Sequence, residues 1–85
     1  MSDVKELLPR VKEMLVERLF LDVTPDQIGD GDNLIERFAI DSVRIFEVVV
    51  GLEENFGVNV AEEEFEVDKF STPLKIAELI ASLDG

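Results

Sequence analysis

The chain has 85 residues, 46% of them hydrophobic, and sets 20 acidic residues against 8 basic ones for a formal charge of −12. This supports one modest core in a single domain over residues 1–85. A charge of this sign disfavours nucleic acid as a partner, the complete lack of His and Cys excludes imidazole and thiolate chemistry, and no apolar run is long enough for stable membrane insertion.

The opening Met-Ser-Asp-Val-Lys-Glu lacks the basic and apolar regions of a signal peptide. A cytoplasmic monomer is expected, with a surface that attracts proteins bearing basic patches. The acidic residues are interleaved with apolar ones at helical spacing, which argues for a folded chain.

Residues 3 to 20 read as the first helix. Val4, Leu8, Val11, Leu15 and Leu19 form its apolar stripe, flanked by Leu7 and Met14. Pro9 removes a backbone donor, so a kink or an effective start one turn late is expected there. Residues 21 to 41 form a long connection. Within it, Thr24-Pro25-Asp26-Gln27 fits a capping box with Pro at the first helical position, which predicts a single helical turn. Gly29-Asp30-Gly31-Asp32-Asn33 turns the chain. Its acids do not fit a calcium loop, because Leu34 and Ile35 occupy the positions that need an oxygen ligand and a glycine. Leu34, Ile35, Phe38 and Ile40 should pin the connection to the core.

The second helix is expected over Ser42–Phe56. Val43, Ile45, Phe46, Val48, Val49, Val50, Leu52 and Phe56 spread over an arc of roughly 220°, about twice what a surface helix needs. The helix is therefore central, or lines a cavity as well as a core. Its narrow polar strip holds Arg44, Glu47, Gly51, Glu54 and Asn55. Glu53 falls inside the apolar arc, where a lysine from another helix or water at a helix end should meet it. Gly57 ends the helix as a C-cap. Val58 and Val60 are extended, Glu62 to Glu66 can make one short helical turn with Phe65 inward, and Ser71-Thr72-Pro73 starts the last helix. The fold expected is all-α: a small four-helix bundle with three longer helices, one short helix and a long loop between helices 1 and 2.

Asp41-Ser42-Val43 stands where the polar connection meets this apolar helix. A serine at a helix start has free backbone N–H groups around it, and these favour a phosphate. Asp and Ser are also ordinary capping residues, so the triplet alone leaves both readings open.

Phe38-Ala39-Ile40-Asp41-Ser42-Val43 resembles the Leu-Gly-x-Asp-Ser-Leu signature of acyl carrier proteins. Leu52-Glu53-Glu54-Asn55-Phe56 resembles the end of the family's second helix, and the acidic short helix and Thr-Pro start follow in the family's order. The resemblance covers essentially the whole chain. It implies that Ser42 receives 4′-phosphopantetheine from coenzyme A through a Mg²⁺-dependent phosphopantetheinyl transferase, and that the arm's thiol carries acyl groups as thioesters. It further implies that Asp41 helps engage the transferase and its metal, and that the chain itself is a non-catalytic carrier for fatty-acid, lipid or polyketide biosynthesis. Arg44, where the family is commonly acidic, is expected beside the phosphate. Glu47 and Glu54, with Val43, are expected to dock the transferase and acyl-processing enzymes. Phe46, Val49 and Val50 are candidates for an acyl pocket, with ordinary core packing as the competing role. The departures are Ala39 for the usual Gly and Val43 for the usual Leu. An aminoacyl or peptidyl carrier and an unmodified acidic docking module are the alternatives. Ser2 at the terminus, Ser71 in a cap and Ser82 late in the last helix lack the Asp-Ser-apolar context.

Overall fold

A computed structural model describes residues 3–84; Ser2, set aside above as a terminal serine, lies outside them. The described residues form four α-helices and no strand: α1 (Val4–Leu19), α2 (Leu34–Phe38), α3 (Ser42–Phe56) and α4 (Pro73–Asp84). Short 3-10 turns cover Pro25–Gln27, Glu62–Glu64 and Val67–Phe70. The helix read second in the sequence is α3.

Each long helix starts where a short polar side chain answers free backbone N–H groups. The Asp3 carboxylate accepts the Lys5 amide at 2.9 Å at the head of α1. Thr72 Oγ1 accepts the Lys75 amide at 3.1 Å at the head of α4. The helix α1 runs on through Pro9 from its cap at Asp3, which overturns the late start. Pro9 faces solvent in the second turn, so water can answer the Lys5 carbonyl that the missing Pro9 N–H leaves without its helical partner.

The apolar stripe of α1 is the spine of the core. Leu7, Leu8, Val11, Met14, Leu15 and Leu19 are buried, and α1 packs against both α3 and α4. Ile45, Val48, Val49 and Leu52 come from α3, and Ile76, Ala77, Leu79 and Ile80 from α4. Of the four residues expected to pin the long connection, Leu34 and Ile40 are buried in the core and Phe38 packs partly against it, whereas Ile35 is only half-buried; Ile28 joins the core as well.

That connection is tied down by backbone and charge. The Leu34 amide donates to the Ser71 carbonyl at 2.7 Å, and the Leu74 amide, unpaired within its own helix, donates to the Asp30 carbonyl at 3.0 Å. Lys12 Nζ bonds Asp30 Oδ1 at 2.6 Å. Asp32 Oδ2 accepts the Gly29 amide at 2.7 Å and Arg37 Nη1 at 2.5 Å. The Gly29 bond first, then Arg37 and Lys12, holds the Asp32 carboxyl below its ordinary pKa. Thr24 N donates to Gln27 Oε1 at 3.0 Å, completing the turn at Pro25.

Three local expectations need correction. The fourth α-helix is α2, inside the connection, and the segment after Val60 makes only 3-10 turns. Asn33 caps α2 by accepting the Glu36 amide at 3.0 Å, a signal that the turn-rich run before it obscured. Glu53 finds no lysine: its Oε2 accepts the Val60 amide at 3.0 Å, so it fastens the chain that follows α3. Gly51 leaves the polar strip and is buried under α1. A Cβ there would lie 2.8 Å from Met14 Sδ and 3.1 Å from Arg18 Cγ, so its absence sets how closely α1 and α3 approach.

Candidate functional site

At the head of α3, Asp41 is extended and caps the helix: its Oδ1 accepts the Arg44 amide at 3.0 Å. Ser42 is therefore the first helical residue, and it is exposed. The amides of Ser42 and Val43 fall among the first four N–H groups of α3, which have no partner within the helix. A hydroxyl at this place stands in solvent beside free donors and the positive end of the helix dipole. This donor set fits a phosphate ester on Ser42 Oγ.

The other described serines offer no such setting. Ser71 is buried, and its hydroxyl donates to the Asp68 carbonyl at 2.8 Å. Ser82 is exposed but lies in the last turns of α4, where the dipole disfavours an anion.

Arg44, expected beside a phosphate, directs Nη2 to the Leu19 carbonyl at 2.6 Å. It thereby answers one of the unpaired carbonyls at the C-terminus of α1 and ties that end to the head of α3. Phe20, which follows, adopts a left-handed conformation at φ 52° and is 90% exposed. Ala39 has the same φ of 52° as C-cap of α2. The sequence by itself shows only that the glycine usual at position 39 is missing. The left-handed backbone is the reason a glycine suits that place.

The wide apolar arc of α3 divides into two roles. Ile45, Val48, Val49 and Leu52 are core, whereas Val43 is 73% and Phe46 58% exposed. Phe46 and Val49 line an open cleft of about 510 Å³ together with Val60, Ala61 and Phe65, with Glu53 and Glu62 contributing polar wall. Val50 is half-buried but does not line this cleft. The Phe65 ring lies 6.3 Å from Phe46 and 6.2 Å from Phe70, tilted to both. Phe65 and Val60 thus join Phe46 and Val49 in lining the cleft, a placement that their local sequence pattern does not announce.

Glu47 and Glu54 are exposed on one face of α3, as expected, and both face a cation. Arg18 of α1 pairs closely with Glu54 and lies 3.8 Å from Glu47.

Comparison with known proteins gives a consistent result. The family model for the phosphopantetheine attachment site matches residues 9–80. An acyl carrier protein of Sulfurovum sp. is 33% identical over 60 residues, covering 71% of this chain and 77% of that protein. The acyl carrier protein of Zymomonas mobilis is 35% identical over 66 residues, covering 78% of each, and that of Wolinella succinogenes is 34% identical over 56 residues, 66% of this chain and 71% of its own.

Proposed function

The chain belongs to the acyl carrier protein family, which carries a covalently attached 4′-phosphopantetheine, and on that premise we propose that Ser42 is the attachment residue of a non-catalytic acyl carrier. The observation that carries this reading is the placement of Ser42: exposed, first in α3, with free amides beside it and its neighbour Asp41 already engaged as the cap.

In the attachment step the Ser42 hydroxyl oxygen forms a bond to the phosphorus that bears the pantetheine arm in coenzyme A. The pyrophosphate P–O bond breaks, adenosine 3′,5′-bisphosphate leaves, and the serine proton passes to a base supplied by the transferase, since this chain has no His. Asp41 Oδ1 is committed to the Arg44 amide, which leaves Oδ2 for the transferase's metal. Once attached, the arm supplies a terminal thiol that holds acyl groups as thioesters. The Ser42 and Val43 amides and the α3 dipole stabilise the new phosphodiester charge. Arg44 acts from one side by fixing the end of α1 against the head of α3.

The cargo is an acyl chain of fatty-acid, lipid or polyketide type. The apolar walls that Phe46, Val49, Val60 and Phe65 give the cleft support that over an aminoacyl cargo. Val43, exposed beside Ser42, and the carboxylates of Glu47 and Glu54 form the docking face for a transferase and acyl-processing enzymes with basic patches. The protein works as a cytoplasmic monomer.

A thiol assay tests the attachment site. Without Cys the apo protein reads zero. After incubation with coenzyme A, Mg²⁺ and a phosphopantetheinyl transferase it should read one thiol per chain, and Ser42→Ala should stay at zero while folded. A thiol gained by Ser42→Ala places the site elsewhere. A wild type inert to several such transferases favours an unmodified docking module.

A further inference from the structure

We infer that Arg18 is a built-in rival for the cations of partner enzymes, occupying the α3 carboxylates until a partner displaces it. This rests on the docking reading of Glu47 and Glu54 given above. Three observations carry it. Arg18 reaches from α1 to both carboxylates at once, paired closely with Glu54 and 3.8 Å from Glu47. Its side chain is 29% exposed, against 52% for Glu47 and 62% for Glu54, so the cation sits between the acids while their outer faces meet solvent. Gly51 lies between the two glutamates on the same face of α3, and a Cβ there would stand 3.1 Å from Arg18 Cγ. The missing side chain leaves the space that the Arg18 stem shares with Met14 Sδ against α3.

The electrostatic consequence is local. Two carboxylates with one guanidinium between them present a net charge of one, not two, to an approaching basic surface. The only cation of α3 itself, Arg44, is bonded to the Leu19 carbonyl and does not share this role. A partner arginine or lysine must compete for oxygens already engaged, which lowers the steering that acidic faces provide. Partners with several cations can still displace a half-exposed pair, because such pairs are weak in water. Arg18 thus sets a threshold: weakly basic proteins are turned away, and strongly basic ones dock. It is a specificity-determining residue that acts through Glu47 and Glu54 and touches no reacting atom.

The test measures kcat/KM for modification of the intact protein by a phosphopantetheinyl transferase, at low and high salt. Arg18→Gln should raise kcat/KM by roughly three- to ten-fold at low salt, and the gain should fade at high salt as screening takes over. Arg18→Lys retains the charge and should bring the rate back toward wild type. Glu47→Gln with Glu54→Gln should slow modification, and adding Arg18→Gln to that pair should give no gain. If the double glutamine variant is slow but Arg18→Gln alone brings no increase, the rivalry is wrong and the docking face stands. If the double glutamine variant is modified at the wild-type rate, the docking face itself falls, and the rivalry with it. A gain from Arg18→Gln that persists without the glutamates is a general charge effect and overturns the proposal. A merely structural staple would change the melting temperature and leave the salt dependence of kcat/KM unmoved.

Discussion

The Asp41 carboxylate accepts the Arg44 amide at 3.0 Å, so the cap falls on Asp41 and the proposed attachment on its neighbour Ser42. Asp41 holds the helix, and Ser42 is left with a free hydroxyl. Asp41→Ala should therefore cost about 1 kcal/mol of stability, the usual loss for a missing N-cap. Ser42→Ala should cost no more than a few tenths of that scale. Denaturant melts of the two variants check this; an equal or larger loss for Ser42→Ala would contradict the division.

Phe20 and Ala39 share a left-handed φ of 52° and bracket the connection between α1 and α3. A Cβ in that region is strained by roughly 1–2 kcal/mol, whereas glycine pays about 0.4–1 kcal/mol in the unfolded chain. Phe20→Gly and Ala39→Gly should each stabilise the protein by about 0.5–1 kcal/mol. Phe20 forfeits little burial, being 90% exposed. Thermal melts that fall for both variants would show that the side chains make contributions the backbone argument omits.

An acyl chain seated in the cleft beside Phe46, Val49, Val60 and Phe65 should stabilise the fold in proportion to its buried length. Each fully buried methylene is worth about 0.8 kcal/mol, and an open cleft delivers less. The melting temperature of acylated forms should climb from short to medium chains and then level off. Identical melts across the series would place the cargo in solvent.

Much of this architecture is legible in the sequence because periodicity reports burial directly. The α1 stripe from Leu8 to Leu19, the capping box at Thr24 and the Thr72-Pro73 start all appear where their patterns put them. What escapes is decided by contacts distant in the chain. Gly51 sits at a polar angle of α3, yet α1 covers it. Glu53 sits at an apolar angle, yet the Val60 amide answers it. Val43 and Phe46 belong to the apolar arc, yet both lie outside the core and stay exposed. The pairing of Arg18 with Glu47 and Glu54 joins two helices across the long connection, and no local pattern announces it.

The Asp32 carboxyl is held below its ordinary pKa chiefly by the Gly29 amide, with Arg37 and Lys12 assisting. A depressed pKa means that its contribution to stability is present above the unfolded carboxylate pKa and is lost as pH falls through the folded value. Asp32→Asn should therefore be less stable than wild type at neutral pH, and the gap should close in acid. Comparing the two proteins at each pH removes the general relief of repulsion that a chain of charge −12 gains on acidification. A gap that stays constant down to strong acid would show that the carboxylate's charge is not what the Gly29 turn depends on. Lys69, raised chiefly by its bond to Glu64, acts in the opposite sense: its contribution holds below the unfolded lysine pKa and is lost as pH rises through the folded value.

The aromatic ladder from Phe46 through Phe65 to Phe70 runs from surface to core, with ring centroids 6.3 Å and 6.2 Å apart. Tilted rings packed this closely do not move singly. Cargo that displaces Phe46 must push Phe65, and Phe65 bears on Phe70, whose 3-10 turn packs against α4. Ring resonances of all three should shift together on loading, and a shift confined to Phe46 would uncouple them. On the proposed carrier reading, the ladder would make the packing of the interior against α4 depend on what the cleft holds.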